Sequence, residues 1–228
     1  MPGVPPLTEQ PGSGPQGASS AARFTRRLRF DKTGPARYLP HNDLITAFVR
    51  ALRRINAPLA YSQGFSPKPR MRFGPPLPVG HCGRGEVVDV ELSEPGPANL
   101  ADLLDQACPG GLSVVAEDRP VVGRRSPMAA ARAYRYQVRL TDPTPDLAAT
   151  VQRFMELESV PATVRRGPGK VRRIDVRKVV QDLLANGQKG FEVEIAIGEG
   201  TLCRPEDVAE ALGVSAQSCT RVNVEYEF

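Results

Sequence analysis

Thirteen basic residues stand between Arg23 and Arg84, with only Asp31 and Asp43 to oppose them. Arg37, Arg50, Arg53, Arg54, Lys68, Arg70 and Arg72 belong to this block, and Phe24, Phe30, Tyr38, Tyr61, Phe65 and Phe73 are interleaved with it. The whole chain carries a formal charge of +5, so the rest of it is net acidic. Cations neutralise phosphates and flat rings stack on bases, which makes such a block suited to binding a polyanion. A solvated face with no ligand is the plainer reading of a charge run. Concentration of one sign in one segment favours the polyanion, because charge gathered on one surface focuses its field.

His41 is the side chain that could work as a general base near neutral pH. Metal-independent RNA cleavage needs a base for the 2′-hydroxyl and a cation for the phosphate, so His41 with Lys68 or Arg70 is the trial pair. The structural alternative is that His41 caps a helix or hydrogen-bonds to the loop after Tyr61. His81, in the glycine-rich stretch 80–85, reads as simply exposed. Cys82, Cys108, Cys203 and Cys219 form no C-x-x-C pair, and only His81 lies near any of them. This spacing suggests no metal site and reads as reduced thiols of a cytoplasmic protein. It also excludes the three close cysteines of a radical S-adenosylmethionine (SAM) cluster. There is no phosphate-binding glycine loop and no nucleophile elbow. No cofactor is expected, and a binding role is favoured over catalysis.

The elements that must position these residues follow from periodicity. Residues 1–22, rich in Pro, Gly, Ser and Gln, read as a disordered tail. Alternation over 27–30 predicts a half-buried strand with Arg27 and Arg29 outward. Pro40, Asn42 and Asp43 start a helix that places Leu44, Ile45, Phe48, Leu52 and Ile55 on one side and Arg50, Arg53 and Arg54 on the other. The segment 56–58 stops it. Two prolines and a glycine make 62–70 a loop, which either stiffens a turn or presents Phe65, Lys68 and Arg70 at low entropic cost. Strands are expected over 71–73 with 75–79, 86–92 and 112–116, with a helix over 99–107. That order is the split βαβ pattern of ferredoxin-like domains.

A connector spans 119–133. A strand over 134–140, a helix over 146–158 and a hairpin around the Gly-Pro-Gly turn at 167–169 come next. They are followed by a short helix over 176–185, a strand over 191–197, a helix over 205–212 and a strand over 220–228. Around the hairpin sit Arg165, Arg166, Lys170, Arg172, Arg173, Arg177 and Lys178 with only Asp175 against them, which reads as a solvated hairpin or as a second reach for nucleic acid. The expected fold is α+β: two tandem ferredoxin-like (βαββαβ-type) lobes at 23–120 and 134–228, a linker at 121–133 and the tail at 1–22. No run approaches the roughly 20 apolar residues of a membrane span.

The segments Arg37-Tyr38-Leu39-Pro40-His41-Asn42-Asp43-Leu44, Arg50-Ala51-Leu52-Arg53-Arg54, Pro58-Leu59-Ala60-Tyr61-Ser62-Gln63-Gly64-Phe65-Ser66-Pro67-Lys68-Pro69 and Pro76-Leu77-Pro78-Val79-Gly80 carry a resemblance. Together they resemble a bacterial radical-SAM-associated family whose domain is of unknown function. The resemblance covers about 23–120 and implies a cobalamin-type radical SAM protein as companion or fusion partner. It also implies a genetic setting near ribonuclease E/G and large-subunit ribosomal proteins, and it brings no established activity. The reading is an RNA-binding or substrate-presenting accessory of a radical SAM enzyme, acting on ribosomal or transfer RNA, with no membrane partner and no DNA preference. Arg37, Arg50, Arg53, Arg54, Lys68, Arg70 and Arg72 would contact phosphate, while Tyr61 and Phe65 would stack. An endoribonuclease using His41 and a protein-docking module without RNA are the alternatives.

Overall fold

The computed structural model describes residues 24–118, 125–165, 171–198 and 203–228. The first part runs β1 (Phe24–Lys32), a 3-10 turn (Gly34–Tyr38), α1 (His41–Arg54), β2 (Met71–Phe73), β3 (Cys82–Leu92), α2 (Leu100–Ala107) and β4 (Leu112–Asp118). Then follow α3 (Pro127–Ala130), β5 (Ala131–Leu140), α4 (Leu147–Glu156), β6 (Pro161–Arg165), β7 (Val171–Asp175) and α5 (Val176–Val179). The chain closes with β8 (Val180–Ala185), β9 (Gly190–Ala196), α6 (Pro205–Ala211) and β10 (Ala216–Tyr226). The architecture is mixed α/β. Among the described residues no helix is long and apolar enough to cross a membrane.

Eight strands make one sheet in the order β4-β1-β3-β10-β5-β9-β8, with β2 paired to β3, while β6 and β7 form a separate hairpin. β4-β1-β3-β2 and β10-β5-β9-β8 repeat one strand order, each set antiparallel within itself. The second set carries β6, β7 and α5 as an addition between α4 and β8. The two sets meet where β10 runs parallel to β3, at Thr220 with Cys82 and Arg221 with Gly83.

Two apolar clusters hold the helices to this sheet. Leu28 and Phe30 of β1 and Val88, Val90 and Leu92 of β3 share a face at the period of two that a pleated strand imposes. Leu44, Phe48, Ala51 and Leu52 of α1 and Leu100 and Leu104 of α2 close over it. Phe48 meets Phe30 edge-on at 4.9 Å between ring centres and Phe73 at 5.6 Å, a geometry that aromatic quadrupoles favour. The other cluster joins Tyr136 and Val138 of β5 and Phe191, Val193 and Ile195 of β9 to Leu147, Val151 and Phe154 of α4 and Val208 of α6.

Several expectations need correction. Arg27 is buried, not outward, because its partner Asp89 is buried with it on β3. The strand expected to continue through 75–79 ends at Phe73. The connector stops before Ala131, where β5 already begins. The helix expected over 176–185 is one turn, α5, followed by strand β8: Val180 and Leu183 serve either period, and pairing with β9 decided for strand. His81 is buried, because α6 of the second set packs against it. The tail at 1–22, much of the connector and the Gly-Pro-Gly tip lie outside the described residues.

Candidate nucleic-acid interface

α1 launches the site. Pro40 precedes the helix without a side-chain cap, and Asp43 in the first turn suits the positive helix terminus. At the far end Asn56 takes a left-handed φ of 54°. Its N–H donates to Arg53 O at 3.0 Å and the Ala57 N–H to Leu52 O at 3.0 Å, the paired bonds of a Schellman stop. Asn is the non-glycine residue best suited to that conformation. The turn sends the chain into an isolated bridge between Leu59 and Leu92, so the next segment is tied to β3.

That segment is a stiff finger. The Ala60 N–H donates to Glu91 O, and the Arg70 N–H returns to Ala60 O, each at 2.9 Å. Tyr61 bridges Pro69, the Ser62 N–H donates to Lys68 O at 2.9 Å, and the Lys68 N–H donates to Ser62 Oγ at 3.0 Å. Gly64 adopts a φ of 116° that a side chain would resist, and Pro67 and Pro69 remove further freedom. Phe65 stands at the tip, fully exposed, with Lys68 exposed beside it. A fully exposed phenyl ring on a braced loop contributes nothing to a core.

The expected phosphate contacts separate into two groups. Arg50 and Arg53 are exposed on the outer face of α1, and Arg53 Nη2 reaches the Tyr61 hydroxyl at 3.5 Å. Helix face and finger therefore adjoin. Arg50 also lines a groove of about 470 Å³ walled by Pro35, Leu39, Asp43, Ala47 and Pro109. Among the described residues neither Arg50 nor Lys68 has an ion-pair partner. Arg54 differs: its Nη1 donates to Ala107 O at 2.7 Å, a cation placed on the last carbonyls of α2. Arg37 lies over its neighbour Tyr38, 4.7 Å from the ring centre, and its Nη2 donates to the Tyr38 hydroxyl.

Five other arginines of the block are paired with acids. Arg26 pairs with Glu117, Arg27 with Asp89 at 2.7 Å, Arg29 with Asp118 at 2.9 Å and Arg70 with Glu91 at 2.7 Å. Arg72 lies 3.7 Å from Glu91 and 3.9 Å from Asp89. β3 and β4 flank β1 and bring their acids onto it, so the local excess of positive charge is smaller than the sequence interval suggests. Lys32 is buried, its Nζ donating to Leu39 O at 2.9 Å; burial is the main influence holding its pKa below the ordinary lysine value.

His41 is the first residue of α1, half-buried and edge-on to Phe73 at 5.4 Å. Burial, and then the Lys32 charge, hold its imidazole below the ordinary histidine value, which disfavours the charged form. The cavity beside it measures about 10 Å³, room for one water at most, and is lined by Lys32, Phe73 and Glu86 but not by Lys68 or Arg70. The structure does not bring the trial catalytic pair together there. In the second basic cluster, Arg177 donates to Met155 O at 3.1 Å and to Val180 O at 3.1 Å, and Lys178 lies 3.8 Å from Asp175.

What sequence reasoning missed is a buried polar seam between the two strand sets. Arg221, 1% exposed, donates from Nε to Glu86 Oε1 at 2.8 Å, from Nη2 to Glu86 Oε2 at 2.5 Å and to Pro75 O at 2.6 Å. Its guanidinium lies 5.0 Å from the Tyr134 ring centre. Burial works against the charge, but Glu86 and the nearby tyrosines more than offset it and hold the Arg221 pKa above the usual arginine value. Gly83 makes room, since a Cβ there would come within 2.6 Å of Glu86 Oε1. An arginine amid strand residues at 216–226 carries no local sign of a partner in the other half.

No curated protein matches the chain in sequence. Among solved structures it is similar to a chain of a Cbf5-Nop10-Gar1 complex, with 11% identity and a TM-score of 0.49 over 87% of this chain and 48% of that one. A second similarity, to an archaeal box H/ACA sRNP Nop10-Cbf5 complex, has 13% identity and a TM-score of 0.41 over 88% of this chain and 48% of that one. The chain thus spans about half the length of each, at similarities too low to carry a functional argument. The family comparison reaches further: residues 26–205, which include the α1 face, the finger and the Glu86 side of the seam, match a family model, and the chain belongs to the family of uncharacterized proteins conserved in bacteria designated DUF2344.

Proposed function

We propose that the chain is a non-catalytic RNA-binding protein whose contact surface is the outer face of α1 together with the finger at 61–70. The observation that carries this is Phe65, a fully exposed ring on a loop braced by backbone bonds, with Lys68 on the same loop and without an ion-pair partner among the described residues. Such a platform stacks a base at little entropic cost while the cations take the flanking phosphates. Tyr61 and Arg53 continue the surface towards α1. Arg37, Arg54, Arg70 and Arg72 have protein partners and serve at its margin. Two ferredoxin-like units at 23–120 and 134–228 are part of this reading, supported by the repeated strand order and the two separate cores. The proposed partner is the radical SAM enzyme that the sequence resemblance implies, to which this chain would present ribosomal or transfer RNA.

The test is binding of labelled single-stranded and structured RNA across a salt series in EDTA, with RNA length checked afterwards. Single-strand binding gives a log–log slope of about −0.7 for each phosphate contacted, and Arg50→Gln with Arg53→Gln should flatten it by about that amount for each cation removed. Phe65→Ala should weaken binding by roughly tenfold, within the ~1–3 kcal/mol that one stacked base contributes, and leave thermal stability unchanged. Shortened RNA would promote His41 to catalyst. No binding at low salt would overturn the RNA reading and leave a protein as the ligand of this face.

A further inference from the structure

His81, Glu206 and Cys219 come from the segment before β3, the first turn of α6 and the middle of β10. Each offers one donor atom, and the three atoms lie within 4.8 Å of one another. His81 Nε2 is 2.5 Å from Glu206 Oε1. His81 and Cys219 are 5% and 4% exposed, whereas the Glu206 side chain is about half exposed (46%). The set therefore has an apolar, water-poor side and an open side. Glu206 also forms part of the wall of a cleft of about 440 Å³ with Glu210, Gly213, Val214, Ser215 and Ala216, so the open side faces space that a ligand can enter.

We propose that His81, Glu206 and Cys219 form a three-ligand zinc site whose fourth position opens to the cleft beside α6. A nitrogen, a carboxylate oxygen and a sulfur are the donors that Zn²⁺ accepts, at about 2.0–2.3 Å each. Donors so spaced need only small side-chain rotations to converge on one ion. A thiolate with an imidazole disfavours Mg²⁺ and Ca²⁺, which take oxygen ligands. Three protein ligands with an open fourth position is the arrangement in which zinc keeps an exchangeable water. In the metal-free chain the carboxylate is held by hydrogen bonding to the imidazole, and zinc replaces that proton-mediated contact. His81 Nδ1 is buried with no hydrogen-bond partner among the described residues. A ligating histidine usually has an outer partner there, and its loss typically costs about 10–100-fold in affinity, so this site binds zinc less tightly than a fully supported one. Because His81 belongs to the first strand set and the other two ligands to the second, the ion also joins the two.

The probe is Co²⁺ added to the chelator-stripped full chain, followed by displacement with Zn²⁺. The expected result is one equivalent bound, with the near-ultraviolet charge-transfer absorption of a cobalt–thiolate bond and the visible bands of a tetrahedral ion, both lost when Zn²⁺ is added. Cys219→Ser should abolish the charge-transfer absorption, and Cys108→Ser, which alters a thiol remote from the set, should leave it intact. Glu206→Gln, on a half-exposed side chain that folding tolerates, should weaken Co²⁺ binding by more than the roughly tenfold of a lost outer partner. It should also remove the rise in melting temperature that excess Zn²⁺ gives the unaltered chain. Absence of the charge-transfer absorption in the unaltered chain, its survival in Cys219→Ser, its loss in Cys108→Ser, or unchanged affinity in Glu206→Gln would each overturn the site.

Discussion

At the scale of single residues, environment separates side chains of the same type. Arg27 is buried between Asp89 and the ring of Phe228, 3.8 Å from its centre, while Arg50 two elements later stands in solvent. The first serves packing and the second is available to a ligand. Cysteine shows the same divergence. Burial, with the charge of Asp105 behind it, pushes the Cys108 thiol up to about 11, so it carries little thiolate at neutral pH. Alkylation of Cys108 in the folded chain should therefore keep accelerating with pH until about 11, whereas in the unfolded chain the rate should level off near the ordinary thiol value of about 8.5. Peptide-resolved labelling between pH 7 and pH 11 checks this. A plateau at the ordinary value in the folded chain would show that the burial does not act on the thiol.

At the scale of elements, α1 and the finger work as one unit because the stop of the helix aims the loop. Asn56 in the left-handed conformation is the pivot. Asn56→Ala should cost about 1 kcal/mol, the strain of placing an ordinary side chain there, while Asn56→Gly should be neutral or better. Denaturant melts of the two variants measure the difference, and equal stabilities would mean that the Schellman stop is not what sets the turn. Much of this was legible from sequence: the apolar stripe of α1, its cationic face and the non-helical finger follow from spacing and from Gly64, Pro67 and Pro69. Element identity was least legible at 176–185. There a one-turn helix runs into an edge strand, and the apolar positions fit both periods until β9 supplies a partner.

At the scale of the whole molecule, the two strand sets join in a single sheet through a short parallel contact, and a buried ion pair lies across that join. Removing one partner leaves the other charge buried and alone, which costs about 3–5 kcal/mol. Glu86→Gln should accordingly lower the melting temperature by roughly 2–4 °C for each kcal/mol lost. Glu86→Leu combined with Arg221→Met should recover much of that loss, since a well-packed apolar pair avoids the desolvation of both charges. Thermal melts of the two variants are the check. A double variant less stable than Glu86→Gln would show that the pair contributes through more than its own charge balance, for example through the Pro75 carbonyl that Arg221 also holds.

By itself the sequence determined the elements around the proposed interface, because helix period, helix stops and proline-stiffened loops are set by residues within a few positions of one another. It also determined that cations and rings would gather between Arg23 and Arg84. Only the tertiary structure decided which cations stay free. Asp89, Glu91, Glu117 and Asp118 lie outside that interval, and strand pairing carries them onto Arg26, Arg27, Arg29, Arg70 and Arg72. The same holds for the Arg221–Glu86 pair and for His81 beside Glu206: charge and ligand geometry act over a few ångströms, and residues 125 or more positions apart reach that range only when the sheet closes.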